Sequence, residues 1–276
     1  MKPSRAGATA LLALVSATTL TACGGVGAKL TFNDVEKVKV TDIAITGDSG
    51  DVLVRTAAIA ETRINRVVHR NSDPGQAYQL DGTTLNVNTS CGPNCSVSWE
   101  IVAPEGVKIR ANMSSGDIGL TGIGAADVVL DSGDIMVSQA KGDLKLRADS
   151  GDIQVTDVTG KITARADSGD VSALEVAGGP FAMSADSGNV RVKLAQPASV
   201  TATADSGDVE VMVPEGRYDV QVDARSGEQS QTNVTEDSSS PYKIKIDADS
   251  GDASVIGTGM PQAPAAPTAP AAPSPN

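Results

Sequence analysis

The residues with the best claim to chemistry are aspartates, and they recur. The tetrapeptide Asp-Ser-Gly-Asp, or a near variant, places its glycine at Gly50, Gly116, Gly133, Gly151, Gly169, Gly188, Gly207, Gly227 and Gly251. From Gly116 onward the spacings are 17, 18, 18, 19, 19, 20 and 24. If successive copies stack, the first aspartates (Asp131, Asp149, Asp167, Asp186, Asp205) form one column and the second (Asp117, Asp134, Asp152, Asp170, Asp208) another. Like charges about 5 Å apart cost of order 1 kcal/mol per exposed, screened pair, so something must offset them. One reading is structural: the first Asp accepts backbone N–H bonds in an Asx-type turn, and glycine takes the positive-φ position. The sharper one is Ca²⁺, a hard cation that would be held by Asp131, Asp134, Asp149, Asp152, Asp167, Asp170, Asp205 and Asp208 with corner carbonyls. The spacing matches neither an EF-hand loop nor the calcium-binding nonapeptide. No other cofactor is implied.

Other chemistry is thin. Paired carboxylates can hydrolyse glycosides, but an active site needs one differentiated pair, not a row of copies. His69 is the sole histidine, which excludes a multi-His metal cluster, and its strand-like context reads as surface. Cys91 and Cys95 frame Gly-Pro-Asn between the alternating segments Leu85–Asn88 and Ser96–Val102. That pattern reads as a hairpin clipped by a disulfide rather than a redox motif, which would have one residue fewer and a following helix.

The elements that must position these groups are strands. Two and four residues after each corner glycine stand apolar side chains: Ile118/Leu120, Ile135/Val137, Ile153/Val155, Val171/Ala173, Val190/Val192, Val209/Val211 and Ala253/Val255. Seven, five and three before it stand others, such as Leu144/Leu146/Ala148 and Ile162/Ala164/Ala166, with alanine always last from Ala148 onward. This is period two, one apolar face. Each unit is therefore strand, Ser-Gly corner, strand, then a variable corner. An antiparallel meander can use that unit. A parallel β-helix of about 18-residue coils explains it better, because stacking gives a reason for the same residue at the same place in consecutive units. The corner glycines Gly116, Gly133, Gly151, Gly169, Gly188, Gly207 and Gly251 would then lie over one another. Outward Lys145, Arg147, Lys161, Arg165, Arg191 and Lys193 would form a basic stripe suited to an anionic envelope polymer. Residues 37–110, with strands near 37–46, 52–57, 64–70, 85–90 and 97–102, are less regular and suit an end cap. At the other end, the loop 228–241 and the final strand near 253–256 would serve.

The termini speak of location. Lys2 and Arg5 followed by apolar Ala8–Leu20 read as an export signal, too short to span a bilayer permanently. Leu20-Thr21-Ala22-Cys23 matches a lipobox, so residues 1–22 would be removed and Cys23 acylated, holding the chain on a membrane. Residues 23–36 then read as a flexible tether, and 258–276, almost wholly Pro, Ala and Ser at its end, as a disordered tail. Without Lys2 and Arg5 the chain has 20 basic and 34 acidic side chains, a net of −14, which makes nucleic acid a poor partner.

The stretch Ala103-Pro104-Glu105-Gly106-Val107-Lys108-Ile109-Arg110, followed by Ser115-Gly116-Asp117-Ile118 and serial Ser-Gly-Asp-Val units, resembles the bacterial adhesin-like family of β-strand repeat proteins known as domain of unknown function 4097. The likeness runs over roughly residues 40–256. It implies an all-β, right-handed parallel β-helix spanning 111–257 and no catalytic residues. Gly188-Asn189 and Gly227-Glu228 depart from the pattern by losing the second Asp. The function expected is a non-enzymatic binding or structural module of the cell envelope, with the membrane, a cell-wall polymer or a surface protein as partner. A carbohydrate-active enzyme on the same fold and an envelope-stress accessory protein are the alternatives.

Overall fold

The computed structural model describes residues 28–70, 75 and 77–259. The export signal, Cys23 and the tail beyond residue 259 lie outside them. The described residues form strands and turns with no helix. The strands are β1 (Lys29–Glu36), β2 (Asp42–Gly47), β3 (Asp51–Ala57), β4 (Thr62–His69), β5 (Tyr78–Asp81), β6 (Thr84–Asn88), β7 (Ser96–Pro104) and β8 (Lys108–Ser115). Then follow β9 (Ile118–Thr121), β10 (Ala125–Ser132), β11 (Ile135–Ser138), β12 (Leu144–Ser150), β13 (Ile153–Thr156), β14 (Thr159–Ser168), β15 (Val171–Ser187) and β16 (Val190–Leu194). The last are β17 (Val200–Ser206), β18 (Val209–Val213), β19 (Arg217–Ser226), β20 (Gln229–Thr232), β21 (Thr235–Glu236), β22 (Lys243–Ser250) and β23 (Ala253–Gly257).

Each repeat folds as one coil with a strand in each of two facing walls. The first wall runs β5-β6-β2-β8-β10-β12-β14-β15-β17-β22-β19. The second runs β1-β4-β7-β3-β9-β11-β13-β15-β16-β18-β23-β20. Long β15 turns the variable corner and serves both walls. Pairing is parallel throughout except at β1–β4, β4–β7 and β5–β6, so the meander is excluded. Like lies over like: Leu144, Ile162, Phe181, Val200 and Ile244 form one buried column, and Ala148, Ala166, Ala185, Ala204 and Ala248 another. At the second corner a further buried column, Ile123, Ala140, Val158 and Val176, closes the core.

Neither end of the stack follows chain order. Coil β2–β3 sits between β6–β7 and β8–β9, and coil β22–β23 sits between β17–β18 and β19–β20. The final strand is therefore interior and not the cap, since it pairs with β18 on one side and β20 on the other. That role falls to β19–β20: Gln229 and Gln231 occupy the inward positions that Ala253 and Val255 fill in the neighbouring coil.

The N-terminal end corrects two further expectations. Residues 29–36 are no tether, since Leu30 and Phe32 alternate with polar residues and pack β1 antiparallel on β4. Segments 85–88 and 96–102 form no hairpin. Strands β6 and β7 lie in opposite walls of one coil, and the Cys91–Cys95 disulfide, Cα–Cα 5.7 Å, closes the corner that elsewhere is Asp-Ser-Gly. Apart from Phe181 in the core column, the aromatic residues gather toward the ends. Arg66, buried on β4, has its guanidinium carbon 4.3 Å from the Phe32 ring centroid and 5.5 Å from that of Trp99. At the far end the Tyr218 and Tyr242 rings meet at 6.3 Å.

Candidate functional site

The Asp-Ser-Gly-Asp corner is a backbone device before it is anything else. Gly151 has φ +137°, and a Cβ there would lie 2.0 Å from the carbonyl oxygen of Gly133. Only glycine allows both the conformation and the approach of the coils. The same contact recurs from Gly116 to Gly207, then from Gly207 to Gly251 and Gly251 to Gly227, following the spatial order of coils.

The second aspartate joins one coil to the next. The N–H of Asp117 donates to Asp51 Oδ1 (3.2 Å), that of Asp134 to Asp117 Oδ1 (3.0 Å), that of Asp152 to Asp134 Oδ1 (2.9 Å) and that of Asp170 to Asp152 Oδ1 (2.9 Å). The ladder continues through Asn189, whose N–H donates to Asp170 Oδ1 (2.7 Å) and whose own Oδ1 accepts from Asp208 N–H (2.9 Å). It ends with Asp252 N–H to Asp208 Oδ1 and Glu228 N–H to Asp252 Oδ1, each 2.9 Å. The turn-forming bond thus belongs to the second Asp, not the first, and crosses between coils. The Cα–C bond of the positive-φ glycine turns the following N–H out of the strand ladder, where only a side-chain oxygen can meet it. Both departures from the motif now have a cause. Asn189 supplies the same oxygen without the charge, and Glu228 lies in the outermost coil, where no further N–H needs an acceptor.

The first aspartates are offset by arginine. Arg147 pairs with Asp149 (2.9 Å) and Asp167 (2.7 Å), and Arg165 with Asp167 (3.0 Å) and Asp186 (2.6 Å). In the outermost coil Arg225 itself replaces the first Asp and pairs with Asp249 (2.9 Å). No ion pair reaches Asp131 or Asp205 among the described residues. These side chains are well exposed, so each pair is worth at most about 1 kcal/mol; their effect is to offset the repulsion among Asp149, Asp167 and Asp186.

This arrangement also dissolves the basic stripe. Lys145, Arg147, Lys161 and Arg165 stand on the first wall, Arg191 and Lys193 on the second. Lys145 faces Asp127 (3.8 Å), Arg191 faces Glu210 (3.6 Å) and Lys193 faces Glu175 (2.5 Å). Acidic and basic side chains are thus mixed on both walls, although Arg147 lies directly over Arg165.

Among the described residues no three of His, Cys, Asp and Glu converge as metal ligands, and the position held by Asn189 shows that the ladder needs an oxygen rather than a charge. A groove of about 420 Å³ runs beside the ladder, lined by Asp170, Asp208, Asp252 and Glu228 together with Ser172, Ser254 and Ser230. His69 is exposed at the end of β4.

Titration is perturbed at the ends of the stack. Burial pushes the Tyr218 hydroxyl, which donates to the Pro214 carbonyl (2.9 Å), up to about 12. Burial, Asp34 and a bond to Glu36 raise Tyr78 further. Asp237 is held low, first by the hydroxyl and N–H of Ser239.

The second corner, read in the sequence as variable, has a regular feature. Gly122, Gln139, Asp157 and Glu175 all have positive φ, between 54° and 73°. Each lies six residues after a corner glycine and just before the buried Ile123, Ala140, Val158 or Val176. That apolar recurrence seven residues on was the available signal.

The family model described as Toastrack DUF4097 matches residues 40–256. No curated protein matches the chain. Among solved structures, a Bacteroides fragilis protein described as a "putative adhesin" aligns with a TM-score of 0.45 at 11% identity, over 82% of this chain and 96% of its own. A Clostridium sporogenes "putative cell adhesion protein" gives 0.27 at 10% identity, over 83% and 100%. A Parabacteroides merdae "putative adhesin" gives 0.28 at 12%, over 83% and 96%.

Proposed function

The chain belongs to the Toastrack family, and from that premise we propose that it is a bacterial envelope lipoprotein whose coils form a rigid, non-catalytic binding module, held to the membrane through acylated Cys23. The observation that carries this reading is the unbroken ladder from Asp51 to Glu228. It commits the repeated carboxylates to joining coils, which supports a scaffold over an active site. Eleven strands in the first wall, at about 4.8 Å each, make a rod about 48 Å long. The lipobox Leu20–Cys23 supports attachment at its N-terminal end. The right-handed sense of the coil, which parallel crossovers obey almost without exception, is part of the same proposal. Partners would be met on the mixed-charge walls, and a cell-wall polymer or a surface protein is the class that suits them.

Fractionation tests attachment: the intact chain goes to membranes and Cys23→Ser is released. Sedimentation of the soluble rod with purified cell walls, beside a crosslinking arm on whole envelopes, tests the partner. Release of neither form, or retention by neither wall nor envelope protein, would overturn the reading.

A further inference from the structure

We infer that the N-terminal end of the rod is a footing for anionic lipid headgroups, and that the acidic remainder keeps the rod standing on it. The inference rests on attachment at Cys23. Strand β1 is the outermost strand of its wall, and the Arg70 N–H holds the Ala28 carbonyl at 3.0 Å, so the chain enters the fold at this end. Five Cα–Cα steps separate Cys23 from Ala28, a reach of at most about 18 Å. Any lipid on Cys23 therefore brings the bilayer to β1 before any other part of the rod.

The surface there suits a membrane. Lys29, Lys37 and Lys39 are exposed. Of the five large apolar side chains exposed among the described residues, two belong to this segment, Val35 at 53% and Val38 at 41%. The two acids of β1 itself are turned inward: Asp34 and Glu36 lie at its half-buried positions, and Glu36 accepts from the Tyr78 hydroxyl (3.0 Å); nearby Glu61 is paired with Arg63.

Charge along the rod is polarised in the matching sense. Residues 23–110 carry 9 basic and 10 acidic side chains, residues 111–276 carry 11 and 24. The first coil of the acidic part, β8–β9, lies four strands below β1, about 19 Å at 4.8 Å per strand. That is more than two Debye lengths at physiological salt. Standing, the acidic coils escape a negative surface; lying flat, they would be pressed against it. Basic residues close to an anionic leaflet are attracted within the same distance, so both halves of the asymmetry favour one posture.

The test tethers the mature chain to vesicles through a histidine tag placed at residue 23, so that it does not depend on acylation, which mass spectrometry of the Cys23 peptide reads separately. A dye is placed at Val38→Cys or at Glu215→Cys, at the far end, with the Cys91–Cys95 disulfide intact. Headgroup-borne quencher is present in phosphatidylcholine vesicles with or without phosphatidylglycerol. The dye at 38 is expected to be quenched at least twofold more on the anionic vesicles, with the difference lost at high salt and in Lys29→Glu/Lys37→Glu/Lys39→Glu. The dye at 215 stays unquenched. Equal quenching at 38 on both vesicles, or strong quenching at 215, would overturn the inference.

Discussion

Replacing Asp152 by alanine removes the oxygen that accepts the Asp170 N–H at 2.9 Å and leaves that donor, at a corner flanked by coils on both sides, to partial hydration. A hydrogen bond to a charged group is worth about 1.5–3 kcal/mol net; because Asp152 is half-exposed, solvent discounts that to about 1–2 kcal/mol. Asp152→Asn keeps the oxygen and, with Asn189 as the natural precedent in the same ladder, should cost less than about 0.5 kcal/mol. At about 2–4 °C per kcal/mol for a domain of this size, alanine lowers Tm by about 2–8 °C while asparagine stays within about 2 °C. Calcium separates the hydrogen-bond account from the ion account in the same instrument. A site with Kd one hundredth of the added Ca²⁺ would stabilise by about 2.7 kcal/mol, raising Tm by several degrees. No rise is expected, nor any fall in chelator. Asparagine as damaging as alanine, together with a calcium-dependent Tm in the parent chain, would refute the reasoning.

Gly151→Ala places a Cβ 2.0 Å from a backbone oxygen at φ +137°; with backbone on both sides nothing can yield, and loss of the folded chain is expected by circular dichroism, whereas Gly82→Ala, with open space around it, should fold. Tyr218, whose ionisation is pushed from 10 to about 12 in the fold, contributes stability that is complete below pH 10 and is lost as pH rises from 10 to 12; urea midpoints across that window should fall in the parent and fall less in Tyr218→Phe. Truncation after Pro241 removes β22–β23, the coil that among the described residues joins β19–β20 to the rest of the stack, so hydrogen exchange and proteolysis should show residues 217–232 unprotected while protection from 108 to 194 persists.

The period-two apolar faces either side of each Asp-Ser-Gly-Asp corner were enough, read as sequence, to determine strands, a repeat of about 18 residues, glycine at the corner and the identity of the core columns, because every one of those follows from local alternation and a conformation only glycine adopts. What the tertiary structure alone decided concerns partners distant in the chain. Nothing local to Asp117 says that its carboxylate serves an N–H seventeen residues on, or that Arg147 reaches Asp167 twenty residues away, since both depend on which coil lies above. The insertion of β2–β3 and β22–β23 into the stack is likewise invisible in a spacing, because a coil's apolar face fits any neighbour of the same register; only the polar Gln229 and Gln231 of β20 and the missing second Asp at Glu228 mark the coil that faces solvent. Distance along the chain sets the repeat, and distance across the coils sets which carboxylate meets which donor.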